Sequence, residues 1–416
     1  MKRSRKILFK ILMLSFMIVF GILWPSKLSG DVNHSYSDED TNSNNNAQLT
    51  TIDEIPSAQS TESLVTDILT EENSNVGYDE ETEKKIDDII SQMTLEEKAG
   101  QLLFIKNDAR FDESVIEKYP VGGIILFSSD FRDKTPEQLT DEIDRFQNIS
   151  KIPLLVGTDE EGGPVVRLSK YSALADGNFE SPAYLYATGG MDKIKEDTIK
   201  KSRLLLSYGI NVNFAPVCDI SLKPGEYMFN RSLGKDAKTT SEYVSAVLSV
   251  MNDEKIGSVL KHFPGYGGNG DTHENIVRDS RSYSDFEEND FLPFEAGIKE
   301  GAQCILISHN IVECMDNECP ASISSKVHSI LRNDLGFNGV IITDDLMMKG
   351  VASFVSENEA VVRAINAGND MILTTDYIKA YEALIKSVNT GEISIDRLDS
   401  SIRRILRWKI NLGLFE

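Results

Sequence analysis

A chain of 416 residues with 40% apolar side chains has the material for one large core or two smaller ones. Its formal net charge of -23 excludes nucleic acid and an anionic membrane surface as main partners, while a neutral ligand meets no such repulsion. Four cysteines (Cys218, Cys304, Cys314 and Cys319) lack CxxC spacing and make neither a zinc pattern nor a disulfide scaffold. Cys218 and Cys304 lie in apolar runs and read as buried thiols, whereas Cys314 and Cys319 could pair in an exported protein.

Lys2, Arg3, Arg5, Lys6 and Lys10 precede a 14-residue apolar run from Ile11 to Trp24. That is a secretory signal pattern, short against the roughly 20 residues of a full span. No small-x-small cleavage site is clear between Pro25 and Gly30, so residues 1–30 read as a signal peptide or an uncleaved membrane anchor. No cysteine follows the run, which disfavours a lipoprotein anchor. Either way the rest of the chain is expected outside the cytoplasm, secreted or tethered. Residues 31–82 contain no Lys or Arg and are rich in Ser, Thr, Asn, Asp and Glu. Such a segment buries too little apolar surface to fold and reads as a disordered acidic linker.

From Glu83 the pattern changes. Ile86, Ile89, Ile90 and Met93 recur at helical spacing, and Thr94-Leu95-Glu96-Glu97 is a capping box opening the next helix. Eight strand-like runs follow: Leu102–Ile105, Gly123–Phe127, Pro153–Thr158, Val212–Ala215, Gly257–His262, Cys304–Ser308, Val340–Thr343 and Met371–Leu373. Helical segments such as Pro136–Ile149, Ser241–Asn252, Phe286–Lys299 and Ser325–Asp334 separate them. Strands alternating with helices predict a parallel sheet, and eight units over residues 83–416 predict an α/β fold of the (β/α)8 TIM-barrel type. A doubly wound open sheet is the alternative. No GxGxxG joins a strand to a helix, so a dinucleotide fold has little support.

In a barrel, chemistry sits at the C-terminal ends of the strands. Asp159-Glu160-Glu161-Gly162-Gly163 follows the third strand; Asp219 and Asn230-Arg231 follow the fourth. Lys261-His262 closes the fifth, Ser308-His309-Asn310 the sixth, and Thr343-Asp344-Asp345 the seventh. After His262, the seven residues Pro264–Gly270 hold four glycines and one proline, which predicts a mobile loop. Asp271 and His273 then place an acid and an imidazole two residues apart. Singly, each of these residues reads as a helix cap, a solvated loop or a strand-end ion pair. Together on one face they read as an active site. No HxH, HExxH, GxSxG or P-loop pattern is present, and no metal or cofactor is expected. Carboxylates, cationic donors and an imidazole around a neutral cavity suit a carbohydrate, whose hydroxyls accept and donate and whose anomeric carbon a carboxylate can attack.

These motifs resemble glycoside hydrolase family 3, and within it the single-domain β-N-acetylhexosaminidases. Lys261-His262-Phe263-Pro264-Gly265 is similar to the family's K-H-F-P-G signature. Asp159-Glu160-Glu161-Gly162-Gly163, with Val166 and Arg167, is similar to its D-Q-E-G-G-x-V-x-R. Asn213-Phe214-Ala215-Pro216-Val217-Cys218-Asp219, Arg231-Ser232, Leu335-Gly336-Phe337-Asn338-Gly339-Val340 and Thr343-Asp344-Asp345-Leu346-Met347-Met348 also match.

The resemblance covers about residues 83–416. It implies Asp344 as nucleophile, His273 paired with Asp271 as general acid/base, and Asp159, Arg167, Arg231, Lys261 and His262 as contacts to the terminal sugar. Larger family members take their acid from a second domain. No residues are left for one here, so a barrel loop is expected to supply it. Tyr266 stands where the family usually has histidine, Glu160 replaces a usual glutamine, and the loop Gly267-Gly268-Asn269-Gly270 departs from the common form. The expected activity is an exported, retaining exo-β-N-acetylhexosaminidase that removes N-acetylglucosamine from cell-wall fragments or other amino-sugar glycans, with a monomer favoured. An exo-β-glucosidase or xylosidase and a non-catalytic glycan-binding barrel are the alternatives.

Overall fold

The computed structural model describes residues 79–107, 113–272 and 275–416. His273, the whole of residues 1–30 and the expected linker up to residue 78 lie outside the described residues. The first helix, Glu80–Gln92, begins three residues before the expected Glu83. Asp79 caps it by accepting from the Glu81 amide, and Glu80, Glu81 and Glu83 place negative charge in its first turn. Residues 80–82 therefore belong to the folded body. Ile86 and Ile90 are buried, and Glu83 is held by Arg407 and Arg403 of the helix Ile395–Asn411. The Thr94–Glu97 capping box forms as expected, with both reciprocal bonds present.

The strands are β1 (Leu103–Lys106), β2 (Gly123–Leu126), β3 (Leu155–Thr158), β4 (Val212–Asn213), β5 (Gly257–Ser258), β6 (Leu260–Phe263), β7 (Arg278–Asp279), β8 (Cys304–Ile307), β9 (Ile311–Val312), β10 (Val340–Thr343) and β11 (Ile372–Thr374). The expected fifth strand is divided into β5 and β6, and the short pair β7–β9 was not foreseen. All named pairs are parallel. One sheet runs β11-β1-β2-β3-β4-β5 and a second runs β10-β8-β6. Isolated parallel bridges join Ile342 of β10 to Met371, just before β11, and Val217, beyond β4, to Lys261 of β6, so both sheets are in backbone contact.

β2, β3, β8 and β10 are buried along their whole length. That is why they appear in the sequence as unbroken apolar runs rather than alternating ones. Inside, Phe104 and Phe214 meet edge to face at 5.2 Å. A Cβ at Gly157 would lie 2.6 Å from the Phe214 ring, so this strand position has room only for glycine. Near the N-terminal ends of β10 and β11, the buried Asp370 accepts from the Ile341 amide, Ser401 and Arg332. Before β1, Lys409 is fully buried with its amine 2.6 Å from Gln101 Oε1. The four cysteines are all unbridged thiols, so Cys314 and Cys319 do not pair. Among the described residues, no helix is long and apolar enough to cross a membrane.

Candidate active site

Asp159 directly follows β3, and the side chains of residues 159 and 161 find one set of partners while that of 160 finds another. Glu160 is fully buried and accepts from the amides of Arg167 and Leu168 at 2.9 Å and from the Ser169 hydroxyl. It is a brace for the turn. Asp159 and Glu161 instead converge on Lys261 of β6. The Lys261 ammonium lies 2.7 Å from Asp159 Oδ1 and 2.7 Å from Glu161 Oε1. Arg167 approaches the other Asp159 oxygen at 3.2 Å. Arg231, from the connection after β4, grips Glu161 with Nε at 3.0 Å and a terminal nitrogen at 2.6 Å. That terminal nitrogen is also 3.3 Å from His262 Nε2.

An arginine can only donate, so His262 Nε2 accepts and its Nδ1 carries the hydrogen. Nδ1 donates to Asp219 Oδ2 at 2.7 Å, which fixes the ring. Asp219 is buried and also takes the backbone amides of His262 and Tyr266. The sequence placed Asp219 on this face without giving it a task, and it missed Glu161. Spacing was the available signal for Glu161, since i and i+2 share a side in extended chain.

Charge is balanced locally. Burial works to raise the Asp159 carboxyl, but Lys261 and Arg167 outweigh it and hold the group below its ordinary value. Burial also opposes ionisation of Glu161, and Arg231 and Lys261 again prevail, holding it well below the carboxylate range. Burial works to lower Arg231, but Glu161 overrides this and raises it. The result is a set of fixed ionic donors and acceptors at the strand ends.

Asp344 directly follows β10 and is half-buried; its amide donates to Ile307 O at 3.0 Å and its Oδ1 accepts from the Asp345 amide at 2.9 Å. Asp345 turns away, accepting from the Met347 amide and the Thr375 hydroxyl, each at 3.0 Å. Burial raises the Asp345 carboxyl. His309 is fully buried between Ser322 and the Asp345 carbonyl and supports this segment from behind.

The glycine-rich segment has no regular structure but is well tied down. Asn269 donates to Tyr266 O and to Asp279, and Tyr266 and Thr272 share a hydroxyl–hydroxyl bond of 2.6 Å. Tyr227, another residue the sequence did not single out, joins the parts. Burial, a side-chain hydrogen bond with Asp271 and the nearby Asp344 charge push its hydroxyl up to about 12, against the pull of Arg231. Tyr227 thus stands within electrostatic reach of Asp271, Asp344 and Arg231. Seven of the eight candidate residues are described and fall on the strand-end side. The eighth, His273, is outside the described residues. Among the described residues no group of three or more His, Cys, Asp or Glu is arranged to hold a metal ion.

Comparisons with known proteins place the chain in a family. The profile of the glycosyl hydrolase family 3 N-terminal domain matches residues 94–408. A protein named β-hexosaminidase LpqI from Mycobacterium bovis is 30% identical over 325 residues, covering 75% of this chain and 82% of that protein. A solved glycoside hydrolase family 3 β-N-acetylglucosaminidase from Paenibacillus sp. superposes with a TM-score of 0.72 at 30% identity, covering 78% of this chain and 64% of that one. LpqI of Mycobacterium tuberculosis gives a TM-score of 0.72 at 28% identity, covering 78% and 96%. The match spans the strand-end carboxylates and their cationic partners alike, and the chain belongs to glycosyl hydrolase family 3, a glycoside hydrolase resembling the β-hexosaminidases.

Proposed function

We propose that this chain is a retaining exo-β-N-acetylhexosaminidase that removes terminal N-acetylglucosamine from amino-sugar glycans such as cell-wall fragments. The observation that carries this reading is the ion-paired set Asp159, Glu161, Arg231, Lys261 and His262 standing on the same strand-end face as Asp344. The names of the similar proteins direct the sugar preference toward N-acetylhexosamine. We read the eight principal strands as a closed (β/α)8 barrel, supported by the parallel bridges at Ile342–Met371 and Val217–Lys261. The basic and apolar stretch before residue 30 supports export, with the catalytic part outside the cytoplasm.

In this reading Asp159, Arg167, Arg231, Lys261 and His262 hold the hydroxyl and acetamido groups of the terminal sugar. A carboxylate oxygen of Asp344 attacks the anomeric carbon as the glycosidic C–O bond breaks, giving a glycosyl ester. His273 donates its proton to the departing oxygen. It then takes a proton from the water that attacks the ester, and Asp344 is released as carboxylate. Asp271 orients the imidazole and favours its protonated form. Turnover of nitrophenyl β-glycosides of N-acetylglucosamine, glucose and xylose tests the reading. Fastest cleavage of the first supports it, preference for glucose or xylose favours a β-glucosidase or xylosidase, and no turnover of any favours a non-catalytic barrel.

A further inference from the structure

Tyr266 occupies the position where the family resemblance implies histidine, and the structure gives its hydroxyl a task. The ring is 1% exposed. Its backbone amide donates to Asp219 Oδ1 at 2.8 Å, and the other Asp219 oxygen holds His262. The ring meets His262 edge to face at 5.2 Å and lies 5.7 Å from Tyr227. From this fixed platform the hydroxyl reaches Thr272 Oγ1 at 2.6 Å. Thr272 is itself fully buried, and its carbonyl accepts from the Gly350 amide at 3.1 Å. A Cβ at Gly350 would come within 2.9 Å of His309 Cβ and 3.3 Å of Thr272 Cβ, so glycine permits this approach. Thr272 is therefore pinned on two sides, to the segment that follows β6 and to the segment that follows Asp344. Asp271, its neighbour, lies within electrostatic reach of Tyr227.

Resting on the function proposed above, we propose that Tyr266 and Thr272 are positioning residues whose hydroxyl–hydroxyl bond sets the register of Asp271 relative to Asp344. The two groups are buried together, so removing one hydroxyl leaves the other without its partner. Neither touches the reacting atoms in this scheme; each acts by holding the chain that carries the acid. Their loss should therefore be felt where a proton must be delivered to the leaving group, and little where it need not be.

The experiment measures glycosyl-enzyme formation before steady state, in the full chain, for a disaccharide and for a nitrophenyl glycoside of N-acetylglucosamine. Tyr266→Phe and Thr272→Val should each slow the disaccharide by about 10-fold or more, a part of the roughly 10²–10⁴-fold that general acid help supplies. The nitrophenyl glycoside should change by no more than about two-fold, since its leaving group barely needs a proton. Thr272→Ser, which keeps the hydroxyl, should lie near wild type. The double variant should be no slower than the worse single variant, because both act through one bond. Melting temperature and binding of free N-acetylglucosamine control for misfolding. A separate readout is independent of the chemistry: amide exchange of residues 269–272 and of Gly350 should quicken in Tyr266→Phe. Unchanged exchange, or equal slowing of both substrates, overturns the proposal. His273→Ala run alongside separates the two readings. If it slows both substrates alike, the acid assignment fails and amide exchange alone decides the positioning role. If it shows the leaving-group split and Tyr266→Phe does not, the positioning role fails.

Discussion

Arg231 and Glu161 form a two-pronged ion pair at 3.0 and 2.6 Å, with the Glu161 side chain only 2% exposed. The same carboxylate holds Lys261, so two cations depend on it. Glu161→Gln should therefore cost about 3 kcal/mol of stability near neutral pH, the scale for breaking one partner of a buried pair. It should also lower kcat/KM for the N-acetylglucosaminide, because Arg231 and Lys261 lose their orientation. The Glu161 carboxyl is lowered in the folded protein, so its contribution is present above the unfolded value of about 4.3 and is lost as pH falls through the folded value. The stability gap between wild type and Glu161→Gln should narrow below about pH 4. Denaturant unfolding across pH 3–7 checks this, and a gap that widens on acidification would reject the pairing.

Glu161 also shows how much of the site was legible. The eight principal strands are legible because parallel strands covered on both faces must be apolar throughout. The strand-end polar residues are legible because each apolar run stops at them. What composition cannot reveal is the direction of side chains beyond the strand end. Asp159-Glu160-Glu161 reads as three acids in a row, yet Glu160 braces the turn through Arg167 and Leu168 while the other two meet Lys261. Tyr227 and Thr272 were hidden, and so was the task of Asp219, since these roles depend on partners that folding brings together. The split of the fifth strand into β5 and β6 comes from pairing with two different sheets, which no local pattern encodes.

His273→Ala should cripple cleavage of a natural disaccharide by about 10²–10⁴-fold while sparing glycosyl-enzyme formation from a nitrophenyl glycoside. Asp271→Ala should follow the same pattern more weakly. Lys261→Ala, which removes a partner of both Asp159 and Glu161, should depress both substrates alike. Rapid-quench measurement of the first turnover distinguishes these patterns. Equal slowing of both substrates by His273→Ala would make it a binding residue.

Burial alone holds the Lys409 amine down to about 7. The unfolded chain binds that proton up to about pH 10.4, so between pH 7 and 10 the unfolded state carries more protons. Rising pH then favours folding, with a slope of up to about 1.4 kcal/mol per pH unit from this group, and the slope vanishes below about 7. Lys409→Met removes the term, at a constant cost from the Gln101 oxygen left without its donor. Wild type should gain on Lys409→Met as pH rises from 7 to 10 in chemical unfolding. Parallel profiles would show that the amine stays charged in the folded protein.

The central claim is that Asp344 becomes covalently linked to the sugar. Mass spectrometry of the protein after reaction with a fluorinated N-acetylglucosaminyl donor bearing a good leaving group tests it most directly. One sugar residue should appear on the peptide that holds Asp344, and Asp344→Ala should abolish both the adduct and turnover while leaving the fold intact. An adduct on Asp345 or Asp159, or full turnover by Asp344→Ala, would contradict the account.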